Sequence, residues 1–362
     1  MRATYLPLLA LLALAVLVGA ACDSGEDDSG TSGSDDDDDN DSNDDDVWGD
    51  PGDLNVVEYD ELGGEPPCEV WDTCVDDYFA FLDIAADFAR PRSHEALENE
   101  IAANWLNGEF PPDLDTTESQ TEGIIREALN IDFLREGIAD RLLEVARINQ
   151  RKRGDYWEEE LLFSDPYVGT FHGVLWLPAG TPPYPGVVAI HGHDETSAGD
   201  FLEGYEFERY PRAGLAVLAI SMRANGATQS ESDVSWAMLE NGFTLLTMRN
   251  YETLLALKYL KFREDVDAEA IGLIGHSGGS VGSNLTIRHE RAFAAYVSDE
   301  TALFSYYSTA TGYVLDETIP DLAPYAYPID NLTHTAVPTM QVPYGYGAEH
   351  ERILDFWERH LR

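Results

Sequence analysis

Lysine is nearly missing from this chain: it occurs three times in 362 residues, at Lys152, Lys258 and Lys261. Basic residues total 22 against 68 acidic ones, a formal net charge of −46. Binding to a polyanion needs clustered Lys and Arg to displace condensed counterions, so this shortage argues against a nucleic-acid partner. Between Cys22 and Arg90 there is no Lys or Arg. Cysteine is scarce as well, with Cys22, Cys68 and Cys74 only. No histidine stands near the last two, which leaves a zinc site there without ligands. Past the N-terminus there is no second hydrophobic span and no internal repeat, which argues against a bundle of membrane-spanning helices and against a solenoid.

What is present begins with a leader. Arg2 supplies a positive start, and residues 6–18 form an apolar run too short to span a bilayer as a mature helix. It ends in Leu17-Val18-Gly19-Ala20-Ala21-Cys22. This resembles a bacterial lipoprotein signal, with Gly19 where such signals usually carry Leu. The resemblance implies that Cys22 is lipidated and becomes the N-terminus. It places the chain at the cell envelope, on the periplasmic or the cell-surface side, with a membrane partner through its lipid. Export to an oxidising compartment favours a disulfide between Cys68 and Cys74. Residues 23–66 hold acidic blocks at 35–39 and 44–46 among Ser, Gly and Asn. Such a segment self-repels and has little apolar surface to bury, so it reads as a disordered tether. The Asp run lacks the Gly-punctuated, Glu-terminated spacing of an EF-hand, so no metal is assigned to it.

Residues 67–157 read as a helical extension. Tyr78, Phe79, Phe81, Leu82 and Ile84 cluster at helical spacing, and Pro91 stops that helix. A second helix is expected over 94–106. A third is expected over 124–148, where Ile125, Leu129, Phe133, Leu134, Ile138, Leu142, Leu143 and Ala146 keep a period near 3.6. From residue 158 the period changes. Segments 160–164 and 169–177 suggest a hairpin, followed by strands at 187–190, 215–220, 270–274, 292–297 and 339–342. Helices are expected at 243–262, from 280 to 288, and at 353–361. Strands alternating with helices imply an α/β domain over 158–362, with a mostly parallel sheet covered on both faces. Residues 302–335 are rich in Tyr without a period, which suits either a lid over a site or an aromatic surface insertion.

The chemistry points to Gly275-His276-Ser277-Gly278-Gly279, placed between the 270–274 strand and the helix after it. Gly-x-Ser-x-Gly in that context is a nucleophile elbow, a turn too tight for Cβ atoms at its flanks, with the Ser hydroxyl at its tip. A Ser hydroxyl needs a base to take its proton and donors to hold the oxyanion. One donor is the Gly278 N–H at the helix start. The other is expected from Ile190-His191-Gly192-His193-Asp194, just after a buried strand, as the His193 N–H. The side chains of His191 and His193 read as structural.

With Ser221-Met222-Arg223-Ala224-Asn225-Gly226 after the next strand and a His before the final helix, the chain resembles the α/β-hydrolase superfamily. It is nearest to the dienelactone hydrolase and acetyl xylan esterase branches. That resemblance covers residues 158–362 and implies a serine ester hydrolase working through an acyl-enzyme, without metal or organic cofactor. The substrate it implies is a small-molecule or carbohydrate ester. The family orders its triad as nucleophile, acid, histidine. This carries the base to His350, in Tyr344-Gly345-Tyr346-Gly347-Ala348-Glu349-His350, with His334 as alternative; His276 points away. The acid departs from the family pattern, because no Asp lies between 337 and 350. Asp299 and Asp330 are the two candidates. If 337–347 matches the family's penultimate strand, the final strand and its His are missing, and the chain is an impaired, hydrolase-fold binding lipoprotein. A serine peptidase resembling prolyl oligopeptidase shares the elbow, but the helical region is too short for that family's gating domain.

Overall fold

The computed structural model describes residues 48, 54–59, 76–107, 118–193, 195, 197–223, 229–299, 315–317, 319, 337–343 and 345–362. The leader, Cys22, Cys68, Cys74, Asp330 and His334 lie outside these residues. The strands are β1 (Leu54–Glu58), β2 (Leu143–Arg153), β3 (Tyr156–Asp165), β4 (Gly169–Pro178), β5 (Tyr184–Ile190), β6 (Ala216–Ile220), β7 (Val266–Gly275), β8 (Ala295–Asp299) and β9 (Thr339–Val342). They form one sheet in the order β1-β2-β3-β4-β6-β5-β7-β8-β9. From β6 to β9 every pairing is parallel, while β2, β3, β4 and β6 pair antiparallel.

The helices are α1 (Asp76–Ile84), α2 (His94–Asn107), α3 (Glu118–Leu129), α4 (Asp132–Glu136), α5 (Ala198–Gly204), α6 (Arg209–Arg212), α7 (Gln229–Glu240), α8 (Leu245–Lys261), α9 (Gly278–His289) and α10 (His350–His360). β5 shows why both sheet faces are covered. Side chains alternate along a strand, and all of Val187, Val188, Ala189 and Ile190 are buried. Val188 and Ile190 join a core with Leu246, Leu254 and Leu257 of α8 and Leu285 of α9. Val187 and Ala189 join the opposite core with Phe201 of α5 and Ile353 and Trp357 of α10. Phe81 of α1 and Leu129 of α3 belong to the first of these cores. Among the described residues no helix is long and apolar enough to cross a membrane.

Two expectations are corrected. The single helix over 124–148 is instead α3, α4 and the opening of β2. Leu142, Leu143 and Ala146 fit a helical period, but Leu143 and Val145 are buried alternate residues of a strand, with Val145 opposite Phe163. The polar half of β2 is matched by acidic residues of β3: Arg147 meets Glu159, and Arg151 and Arg153 meet Glu158. Cross-strand charge pairing of this kind is invisible to a helical period. The second correction concerns the tether. Leu54–Glu58, inside the expected disordered stretch, is a strand parallel to β2, and Trp48 is buried in the core. The sheet therefore starts well before residue 158, drawing on segments expected to be tether and helix.

Candidate active site

β7 leads into α9 with only His276 and Ser277 between them, and Ser277 stands directly before the first helical residue. Its backbone sits at φ 50°, ψ −124°, a positive φ that non-glycine residues adopt only where neighbours enforce it. The neighbours are close. A Cβ on Gly275 would meet the Gly279 carbonyl oxygen at 2.7 Å, and one on Gly279 would meet the Ile190 and His191 carbonyl oxygens at 2.3 and 2.4 Å. The Ser280 Oγ ties the turn together, donating to the Gly275 carbonyl at 2.5 Å and accepting the Asp299 N–H at 3.2 Å.

The half-buried Ser277 side chain faces the loop after β5. A Cβ built on Gly192 would lie 2.4 Å from the Ser277 Cβ and 3.2 Å from its Oγ. Gly192 is therefore the residue against which the hydroxyl is seated. Its N–H donates to Glu195 at 2.8 Å, which fixes the loop. Gly278, the first residue of α9, has one of the N–H groups that no helical carbonyl can take. A helix N-terminus also favours developing negative charge. Both features suit an oxyanion donor.

Asp299, expected as the acid for His350, is fully buried and serves the elbow itself. It accepts the Ser277 N–H at 3.0 Å and the His276 Nδ1–H at 2.6 Å. The opposite nitrogen of His276 accepts the Tyr205 hydroxyl at 2.7 Å. His276 thus points away from the nucleophile, as its place in the turn requires. Ser277 and Asp299 are brought together, but through a backbone amide. His350 is brought to neither by any hydrogen bond among the described residues. Its ring, 6% exposed, stands 6.1 Å from Tyr210 and 6.2 Å from Tyr346, on the α6 side. Burial lowers its pKa, helped by the Arg209 charge, with nearby glutamates opposing.

Sequence reasoning missed the side chain of His193. A Cβ on Gly278 would lie 2.5 Å from the His193 Cε1 and 2.7 Å from its Nδ1, so the ring lies directly on the elbow. Its Nε2 is 2.9 Å from the Asp316 Oδ2, and its Nδ1 is 3.8 Å from the Glu317 Oε1. Arg249 holds the same Asp316 oxygen. Burial alone would disfavour a charged ring, but the Asp316 hydrogen bond and the two carboxylates outweigh it and raise the His193 pKa to about 9. Burial works against ionised Asp316 too, yet Arg249 and His193 hold its pKa below the usual carboxylate range. The two His-Gly-His histidines of the β5 loop were the available signal; nothing local pointed to Asp316, 123 residues away.

His193, Asp316 and Glu317 offer donor atoms within 4.8 Å of one another, the one set among the described residues able to hold a metal ion. The ring, however, turns one nitrogen to each carboxylate, and the Arg249 guanidinium already neutralises Asp316. That arrangement is a hydrogen-bonded histidine between acids.

No protein-family model and no curated protein sequence matches the chain. Solved structures do. A provisionally assigned acetyl xylan esterase from Bacteroides fragilis superposes with a TM-score of 0.52 at 15% identity, over 69% of this chain and 75% of that one. Acetyl xylan esterase 1 from Thermoanaerobacterium gives 0.47 at 14% identity, over 75% of this chain and 100% of that one. A glucuronoyl esterase from Solibacter usitatus gives 0.43 at 14%, over 61% and 86%. Identities this low speak to architecture alone, and the first of these likenesses agrees with the sheet order and the strand–Ser277–helix turn: the chain has the α/β-hydrolase fold.

Proposed function

We propose that the protein is a carboxylic-ester hydrolase that works through an acyl-enzyme on Ser277. The observation that carries this reading is the Ser277 backbone at φ 50° between a buried strand and a helix N-terminus. Strain of this kind costs about 1–3 kcal/mol and is kept where it presents a reactive group. Gly278 and His193 are proposed as the oxyanion donors, through their N–H groups. The neighbour superposing at 0.52 is described as an acetyl xylan esterase, which makes acylated sugars the first substrates to try. The leader motif supports lipidation at Cys22 and envelope localisation, and the oxidising compartment supports a Cys68–Cys74 bond; labelled palmitate and thiol titration test these two.

The proposal is tested with a fluorophosphonate probe and 4-nitrophenyl acetate. Wild-type protein should be labelled and should turn over the ester, and Ser277→Ala should do neither. Ester turnover that survives in Ser277→Ala ends the proposal. A wild-type protein that folds but neither labels nor hydrolyses favours a hydrolase-fold binding protein.

A further inference from the structure

A serine hydrolase needs an imidazole, and the chain has nine histidines, of which His334 lies outside the described residues. Most of the others are committed elsewhere. His191 donates from Nδ1 to the Gly192 carbonyl at 2.7 Å and accepts the Met222 N–H at Nε2, 2.8 Å. His276 is spent between Asp299 and Tyr205. His172 bridges Ser221 and Glu160, and His289 is buried against Asn250. His94 packs on Trp236 and His360 on Phe356. His350 lies among Tyr210, Tyr346 and the charges of Arg209 and Glu206. Among the described histidines, His193 alone is both seated on the elbow and 21% exposed at its side chain, open to a substrate.

We infer that His193, oriented by Asp316, is the group that exchanges protons with Ser277, in place of an imidazole from the C-terminal segment. The inference rests on the ester-hydrolase reading and assigns its base. With Nε2–H donating to Asp316 at 2.9 Å, the tautomer leaves the Nδ1 lone pair on the side of Gly278, the residue that follows the nucleophile. A buried carboxylate that fixes the tautomer and stabilises the imidazolium is the acid's whole task in such a site. Asp316 is fully buried and kept ionised by Arg249. Glu317, 3.8 Å from Nδ1, adds negative charge where the imidazolium forms.

The step balances as acyl transfer. The Ser277 O–H bond breaks and its proton goes to Nδ1, while Oγ bonds the acyl carbon and the carbonyl pair moves to oxygen. Collapse expels the alcohol oxygen, which takes that proton from Nδ1. Water then repeats the exchange, its proton passing to Nδ1 and on to the departing Ser277 Oγ. Only neutral His193 can begin the cycle, so the charges around it (Asp316, Glu317 and Arg249) place the rising limb of activity near pH 9.

The test compares Ser277→Ala, His193→Ala, Asp316→Asn and His350→Gln in ester turnover across pH, with circular dichroism as fold control. His193→Ala should lose roughly 10³-fold in kcat/KM, and added imidazole should restore part of it, which a structural loss would not allow. Asp316→Asn should move the rising limb downward by roughly one pH unit or more. His350→Gln should turn over ester within about twofold of wild type, because an imidazole outside the reaction carries none of the barrier. His193→Ala at wild-type rate overturns the inference, as does a His350→Gln loss equal to that of Ser277→Ala. Should His193→Ala fail to fold, an unmoved limb in Asp316→Asn overturns it. Turnover in Ser277→Ala would instead refute the ester-hydrolase reading beneath it.

Discussion

Replacing Gly192 with Ala tests the seat of the nucleophile directly. The added methyl would lie 2.4 Å from the Ser277 Cβ and 3.1 Å from the His276 carbonyl oxygen. Ordinary contact begins near 3.4 Å, so the loop and the elbow must separate by about 1.0 Å (3.4 − 2.4). Gly192 does not need a positive φ, so the whole effect is steric. A displacement of about 1 Å in a reacting group costs roughly 10²-fold in rate. Crowding a packed site costs about 1–3 kcal/mol of stability. The expected result is a kcat/KM on 4-nitrophenyl acetate lowered about 100-fold, with fluorophosphonate labelling slowed in proportion. Gly204→Ala is the control, since a Cβ there meets nothing within 4 Å. Labelling of Gly192→Ala at the wild-type rate, in folded protein, would show that the loop is not where the hydroxyl rests.

Asp299→Ala removes the acceptor of both the Ser277 N–H and His276, and should cost about 3 kcal/mol and slow labelling; an unchanged melting temperature contradicts the tie. Arg223 and Glu252 form a fully buried ion pair, also contacted by the Tyr78 hydroxyl at 2.9 Å. Either Arg223→Met or Glu252→Leu should destabilise by about 3–5 kcal/mol, whereas the double variant should lose less than the sum. Strict additivity in urea unfolding would count against the pair. His289 is wholly buried, and burial, with Arg135 and Arg126 nearby, lowers its pKa from 6.5 to about 3. The unfolded chain binds the extra proton between those values, so this contribution is complete above pH 6.5 and lost as pH falls. About 1 kcal/mol should disappear between pH 7 and 5.5. His289→Leu should flatten that slope; an unaltered slope refutes the assignment.

The elbow was legible because everything it needs is local. Glycines at 275 and 279 flank a Ser between an apolar run and a helix start, and close approach of backbones forces that spacing. The strands at 187–190 and 215–220 were legible for a related reason, being short apolar runs buried in the sheet. β2 was not. Leu142, Leu143 and Ala146 fit the 3.6 period, whereas the alternation of buried Leu143 and Val145 is too short to stand out, and only the partner strand decides between them. The acid and base were the least legible. Asp299 was singled out for its place after β8, yet what it orients is the elbow amide and the neighbouring His276. Asp316 lies within a Tyr-rich stretch that carries no periodic signal, so nothing in the order of residues pairs it with His193.

The strand Leu54–Glu58 gives the acidic segment before it a mechanical meaning. It forms one rim of the sheet, six strand positions from β7. At about 4.8 Å per position, that is roughly 29 Å from the strand that carries Ser277. Tension or cleavage along the preceding chain would peel the far rim first, and leave the loops around the hydroxyl undisturbed.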